Sequence, residues 1–114
     1  MDWGKVTYIF FSLMSLTTTA GFIYEPNAIA LFLAAGVNII STILKIGVKN
    51  LLAAELLASS LVADLHLIPA FMVFTFSGNI RMAIALAIGA IVANLFSIAL
   101  ALIESAKSQD KEEF

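Results

Sequence analysis

The chain has 114 residues, of which 61% are hydrophobic and only 12% are charged. Soluble globular domains carry about 25% charged residues, so this composition excludes an ordinary soluble fold and predicts a single membrane domain. The formal net charge of −2 offers no basic surface for nucleic acid. The chain contains no cysteine, and we therefore expect neither a disulfide nor a thiolate metal site.

Four apolar runs predict an all-α protein with four transmembrane helices. Their approximate bounds are 3–24, 27–46, 48–76 and 81–103. Each is long enough to cross the bilayer, which takes about 20 residues, and Pro26 and Gly78 lie in two of the breaks between them. We take residues 1–104 as the transmembrane domain and 105–114 as a short charged tail that frays into solvent.

The basic residues predict the orientation. With four spans both termini lie on one side of the membrane, and that side then holds five of the six basic residues, namely Lys5, Lys45, Lys49, Lys107 and Lys111. Only Arg81 lies opposite, so the positive-inside rule predicts cytoplasmic termini. Because all six are placed near the ends of runs, we expect no Lys or Arg inside a span.

The third run carries an acid at membrane depth. Asp64 lies near its middle, where an ionised carboxylate costs between about 2.5 and more than 10 kcal/mol. Without a basic partner inside a span, Asp64 should be protonated, reached by water or occupied by a cation. Pro69 removes one backbone hydrogen bond and predicts a bend in this long helix.

Helical spacing divides the polar residues of the third run between two faces. At about 100° per residue, Glu55, Ser59 and His66 share one face, while Ser60 and Asp64 lie roughly opposite. A single helix therefore cannot bring both carboxylates to one site. If both matter, one faces its own bundle and the other faces a second subunit.

Each of these residues also has a structural interpretation. Glu55 is near the cytoplasmic end, where water can solvate it, and a lone histidine such as His66 often serves only as a hydrogen-bonded packing residue. Asn38, on the polar side of the second run, fits an interhelical hydrogen bond worth roughly 0.6 to 2 kcal/mol. The alternative is that these residues follow an ion path.

The fourth run contains rows of small residues. One row has a small residue at every fourth position, Ala85, Gly89, Ala93, Ser97 and Ala101, and a second row contains Ala83, Ala87 and Ala90. Such rows let helices approach closely in membranes. The partner is either another span or a second copy of the chain, and a homo-oligomer is expected.

The sequence lacks the usual motifs of catalysis. One histidine and no cysteine leave too few ligands for an ordinary metal site, and no protease, hydrolase or nucleotide-binding fingerprint is present. We therefore expect no enzymatic activity and no cofactor.

The segment ELLASSLVADLHLIP, from Glu55 to Pro69, together with the opening WGKVTYIFFSLMSLTTTAGF, resembles an uncharacterised family of small membrane proteins from Campylobacter- and Helicobacter-type bacteria. The resemblance covers nearly the whole chain. It implies a bacterial inner (cytoplasmic) membrane location and supplies no activity. The chain is also similar in size and span count to small multidrug-resistance transporters, but their essential first-span glutamate has no counterpart here.

Three functions remain open. The first is a small homo-oligomeric channel or proton-coupled transporter in which a proton or metal ion contacts Asp64, with Glu55 or His66. The second is a non-transporting assembly or accessory subunit whose polar residues specify helix packing. The third is a multidrug-type exporter with a cavity lined by Phe71, Phe74 and Phe76.

Overall fold

The computed structural model describes the backbone of residues 3–46 and 52–113, and the side chains of these ranges as far as Ala106. The α-helices are α1 (Trp3–Tyr24), α2 (Ala28–Ile46), α3 (Ala53–Met72) and α4 (Ile80–Glu113), and a π-helical segment, Val73–Ser77, extends α3. Within the described ranges, four helices are long and apolar enough to cross a membrane. The prediction of an all-α protein with four membrane-spanning helices is confirmed.

The helices form a ring in chain order. α1 packs on α2, α2 on α3 and α3 on α4, and α4 closes the ring against α1. α2 and α4 therefore face each other across the centre of the bundle, as do α1 and α3. Short connections between successive helices favour this up-and-down arrangement.

Each helix buries one seam of side chains that are spaced alternately three and four residues apart. The seams are Tyr8, Ser12, Ser15, Thr19 and Phe22 in α1; Leu31, Ala34, Asn38, Ser41 and Lys45 in α2; Leu56, Ser60, Ala63, Leu67 and Ala70 in α3; and Ala83, Ala87, Ala90, Asn94, Ser97 and Ala101 in α4. Their mean period of about 3.5 residues is that of a left-handed helix bundle.

Polar seam positions lie between two apolar clusters. The larger cluster, which includes Phe22, Leu31 and Leu67, fills the end of the bundle near the α1–α2 and α3–α4 turns. Tyr8, Leu56 and Ala101 form a smaller cluster toward the other end. The hydroxyl, amide and charged groups between them are therefore enclosed.

The two described turns are closed by specific side chains and by a glycine. Asn27 Oδ1 accepts a hydrogen bond from the backbone N–H of Ala30 at 2.8 Å, and Asn79 Oδ1 accepts one from that of Met82 at 3.1 Å. These bonds satisfy N–H groups that the first turns of α2 and α4 leave open. Gly78 adopts the left-handed conformation, with φ of 67°.

One boundary differs from the sequence analysis. α4 continues without a break through Glu113, because no glycine or proline follows Ile103 and the charged segment is rich in good helix formers. The first residues of the third run, 48–51, lie outside the described residues. Pro69 lies inside α3, and the predicted bend there and the division at residue 105 stay predictions.

Leu31 belongs to the buried face of α2. It is fully buried, whereas Ile39 and Ile43 are exposed. Leu31 lies seven residues before Asn38 in the same seam, and residues seven apart point in nearly the same direction.

Gly78→Ala should lower the free energy of unfolding by about 1 to 2 kcal/mol, because a side chain disfavours the left-handed conformation. An added Cβ at Gly78 meets nothing within 4 Å, so the loss would come from the backbone alone. The matched control is Gly36→Ala, which also has open space but lies within α2. Thermal unfolding in detergent tests the pair, and equal effects of the two changes would contradict this explanation.

Candidate functional site

Asp64 faces the interior of the bundle, where α2 hydrogen-bonds its carboxylate. Oδ1 accepts from Asn38 Nδ2 at 2.5 Å, and Oδ2 accepts from Thr42 Oγ1 at 2.6 Å. The hydroxyl of Ser60 lies 2.6 Å from that of Thr42, so Ser60 can donate to Thr42 while Thr42 donates to Asp64. Each carboxylate oxygen thus has a donor.

Lys45 provides the positive charge that the sequence analysis expected to be absent from the spans. It is only 2% exposed, and Nζ donates to Ser12 Oγ and Ser97 Oγ, each at 3.0 Å. Nζ also lies 5.7 Å from the centre of the Tyr8 ring. The carboxylate of Asp64 attracts this ammonium electrostatically.

The expectation that no lysine lies inside a span is therefore wrong, as is the premise that Asp64 has no built-in counter-charge. Lys45 is in the last turn of α2, but its backbone position does not fix the depth of its charge. A helical Cα–Cβ bond points toward the helix N-terminus, and the four-carbon stem carries the ammonium back into the bundle.

The hydroxyls around Lys45 form a directed chain. Ser12 and Ser41 Oγ atoms are 2.7 Å apart, and Ser41 donates to the carbonyl oxygen of Tyr8 at 3.1 Å. An ammonium can only donate hydrogen bonds, so Ser12 accepts one from Lys45. The Ser12 hydroxyl then donates a hydrogen bond to Ser41. These bonds tie α1 to α2, and Ser97 ties α4 to the same ammonium.

A third polar group lies around Ser15. Its hydroxyl donates to the carbonyl oxygen of Ala34 at 3.1 Å, and Asn94 Nδ2 donates to Ser15 Oγ at 3.4 Å. Among the described residues, the Oδ1 atoms of Asn38 and Asn94 are buried without a hydrogen-bond partner. We refer to the three hydrogen-bonded clusters, those around Asp64, Lys45 and Ser15, together as the polar layer.

A second feature, the α3–α4 groove, runs along the outside of the bundle. It has a volume of about 660 Å³; Glu55, Ser59 and His66 line it from α3, and Gly89 and Phe96 from α4. Glu55 and His66 lie about 16 Å apart along the helix axis at 1.5 Å per residue. The groove therefore has a carboxylate at one end, near the side of the membrane that the sequence predicts to be cytoplasmic. At its other end, closer to the middle of the membrane, it has an imidazole.

The ring of His66 packs directly on Gly89. A Cβ built at Gly89 would overlap His66 Cδ2 and lie 2.7 Å from Nε2, so only glycine leaves room for the imidazole in this position. His66 Nδ1 lies 2.8 Å from the carbonyl oxygen of Val62. Nδ1 must carry the proton to donate there, so Nε2 of the neutral ring is unprotonated and able to accept a hydrogen bond.

The two faces of α3 separate the residues that the sequence analysis proposed for an ion path. Ser60 and Asp64 point into the polar layer, together with Asn38 of α2. Glu55, Ser59 and His66 line the groove, although the Ser59 hydroxyl donates to its own helix at the Leu56 carbonyl. The structure thus gives two sites rather than one.

The row of small residues in α4 does not lie on one face. Ala93, Ser97 and Ala101 are buried, Gly89 is half-buried and Ala85 is exposed. Steps of four residues turn by about 40° around a helix with 3.6 residues per turn. The row therefore winds from the outer surface into the core, and packing of its outer end against a second copy stays a prediction.

An ion pair lies beyond the small apolar cluster. Lys5 Nζ and Glu104 Oε2 are 2.6 Å apart and link α1 to α4. Within the described residues, no group of three or more His, Asp or Glu side chains could hold a metal ion. Neither the interior position of the Lys45 ammonium nor the role of Asn94 was predicted from the sequence.

Asp64→Asn should lower the free energy of unfolding by about 3 to 5 kcal/mol, because it leaves the buried ammonium of Lys45 without its counter-charge. Lys45→Met should lower the free energy of unfolding by a similar amount, because it leaves the buried carboxylate of Asp64 without its counter-charge. The double variant should lose clearly less than the sum, as measured by denaturant unfolding in detergent. Glu55→Gln, on the exposed face of the same helix, is the control, and additive losses would show that the two charges are independent.

The comparison with known proteins adds membership of a family. Neither a curated protein nor a solved structure matches the chain. A model of a family of unknown function, DUF6394, matches residues 25–105, which include Lys45, Asp64 and all residues named for the groove. The chain therefore belongs to this family of unknown function.

Proposed function

We propose that the protein is a small homo-oligomeric membrane protein that moves a proton along a path through the α3–α4 groove. The observation that carries the proposal is His66 Nε2, which no described residue hydrogen-bonds, at one end of a groove that Glu55 also lines. A neutral imidazole nitrogen can accept a proton and release it again during transport.

The position of the groove supports a path between copies of the chain. The groove is on the outer surface of a bundle with four apolar helices, where a single copy would expose Glu55 and His66 to lipid at a cost in free energy. A second copy would cover both residues. Gly89 and Ala58 offer little side-chain bulk there, which favours close helix contact.

The interior of one bundle is a poorer route for a cation. Lys45 places a positive charge in the polar layer, and the large apolar cluster around Phe22 and Leu67 fills one end of the bundle. The hydrogen bonds of Asp64, Ser60 and Asn38 favour a packing role for these residues. The path residues of this proposal are accordingly Glu55, Ser59 and His66.

The chemistry of the groove favours a proton over a metal ion. Glu55 and His66 are too far apart along α3 to bind one ion, and Ser59 uses its hydroxyl proton within its own helix. A metal site normally needs several ligands around one point. A single imidazole with a free nitrogen suffices for proton transfer.

We further propose that the protein lies in a bacterial inner membrane with both termini in the cytoplasm. Lys5 and Lys45 are near the same end of the bundle, and Arg81 is at the other. Lys49 lies outside the described residues, and the side chains of Lys107 and Lys111 do too. The support for this orientation is the positive-inside rule.

A non-transporting assembly subunit is the second candidate. The observation that favours it is that the polar layer links helices through enclosed hydrogen bonds such as those of Lys45 and Ser41. A multidrug-type exporter has less support. Phe74 packs against Phe22 and Phe71 against Phe32, so these aromatic side chains are engaged at separate contacts.

Proton flux into liposomes, followed with an internal pH-sensitive dye, tests the proposal. His66→Ala should reduce flux to that of protein-free liposomes, because it removes the proton-accepting nitrogen, and Glu55→Gln should reduce it in part. Glu25→Gln, an exposed carboxylate between α1 and α2, is the control. Wild-type flux in His66→Ala would exclude the path, and a wild-type protein without flux would favour the assembly subunit.

Gly89→Ala should displace the imidazole, since the added methyl group would overlap the ring. His66 is the single histidine of the chain, so the imidazole nitrogen signals in an NMR spectrum report on this residue alone. We expect them to shift in Gly89→Ala and not in Gly21→Ala, where an added Cβ meets nothing within 4 Å. Unchanged signals in Gly89→Ala would contradict the packing of His66 on Gly89.

A further inference from the structure

We infer that the centre of the bundle binds one water molecule, held between the amide oxygens of Asn38 and Asn94. Both side chains are fully buried, and among the described residues neither Oδ1 atom has a hydrogen-bond partner. A buried amide oxygen without a donor costs about 1 to 3 kcal/mol. Internal waters are found where such groups converge.

The direction of each amide is set by its nitrogen. Asn38 Nδ2 donates to Asp64 and to the carbonyl oxygen of Ser60, both on α3. Asn94 Nδ2 donates to Ser15 on α1. The oxygen of an amide points away from its nitrogen, so Oδ1 of Asn38 is turned from α3 and Oδ1 of Asn94 is turned from α1. Both oxygens are left facing the space between the helices.

The register of the helices brings the two oxygens to one depth. Ser12, Ser41 and Ser97 lie at one level along the bundle axis. Ser12 contacts Ser41, and the Lys45 ammonium contacts Ser12 and Ser97. Three residues from this level, toward the α1–α2 and α3–α4 turns, Ser12 is followed by Ser15, Ser41 by Asn38 and Ser97 by Asn94. Each step of three residues rises about 4.5 Å.

These steps end at the same level because the three helices are packed side by side. The hydrogen bond from Asn94 to Ser15 confirms the level for α4 and α1. α2 and α4 face each other across the ring, and Lys45 already reaches Ser97 across that centre. Asn38 and Asn94 are therefore placed at the same level on two helices that face each other, about 4.5 Å along the helix axes from the level of Ser41 and Ser97.

The chemistry of this position fits water. One water molecule has two protons and can donate one to each amide oxygen. Ser97 accepts from Lys45, which leaves its own hydroxyl proton to donate to the water oxygen. The water would then make three hydrogen bonds, which is the usual number for a buried water.

A bound alkali cation is the competing occupant, because amide and hydroxyl oxygens are also cation ligands. The ammonium of Lys45 is buried at the neighbouring level of the bundle, where it contacts Ser12. Two positive charges close together in a medium of low dielectric constant repel strongly. A neutral molecule is therefore favoured.

This water would connect hydrogen bonds that are otherwise separate. The groups of Asp64 and Lys45 share no direct hydrogen bond among the described residues. With the water in place, the network runs from Asp64 through Asn38 and the water to Ser97 and Lys45. The inference does not depend on transport through the groove, since it concerns the opposite face of α3.

Water-edited solid-state NMR of the protein in lipid bilayers tests the inference. We expect magnetisation transfer from water to the side-chain amide protons of both Asn38 and Asn94. The backbone amides of Leu67 and Ala87, in the large apolar cluster, should show no such transfer. Absence of transfer at Asn38 and Asn94, with transfer still seen at the exposed Asn79, would overturn the proposal.

A variant and a change of salt make the test specific. Asn94→Leu replaces one acceptor with an apolar side chain of similar size, and transfer to Asn38 should then be lost while that to Asn79 persists. Retained transfer to Asn38 would place the water elsewhere and overturn the bridging site.

The midpoint temperature of thermal unfolding should be the same in sodium, potassium and choline chloride. A rise in this temperature that is specific to one alkali ion would identify a cation instead of water.

Discussion

The burial of Lys45 and Asp64 within one polar layer is the constraint on which the rest of the bundle depends. Neither charge could remain inside four apolar helices alone, because removal from water costs several kcal/mol per ion. Asp64 is satisfied by Asn38 and Thr42, and Lys45 by Ser12 and Ser97. Each hydrogen bond requires a particular depth for its helix. The charges therefore fix how far each helix is shifted along its neighbours, which apolar contacts between alanine-rich surfaces would leave loosely defined.

The same bonds explain why the interior does not resemble a pore. The polar groups are partners of one another, and apolar clusters around Phe22 and Tyr8 lie on either side of them. Glu55 and His66 lie on the other face of α3, where His66 packs on Gly89 and Glu55 is exposed. α3 thus has one face whose polar residues organise the bundle and one face whose polar residues line the outer groove.

Much of the fold could be predicted from sequence, because helix length, apolar composition and the breaks near Pro26 and Gly78 are local properties. The two faces of α3 likewise follow from helical spacing. Lys45 could not be placed by its position near the end of a run, since the depth of a lysine charge depends on its flexible stem and on acceptors from α1 and α4. The alternating three- and four-residue spacing from Leu31 to Lys45 was the available signal, and continued through α4 it would also have identified Asn94.

The winding row in α4 makes Gly89 a meeting point between two kinds of contact. On one side of it the small residues belong to the core, and on the other Ala85 faces outward. The inner end of the row is therefore constrained by the packing of the core, whereas Ala85 at its outer end is exposed. At Gly89 the constraint comes from the ring of His66, which an added methyl group would overlap, so this half-buried position should tolerate substitution less well than its exposure alone suggests.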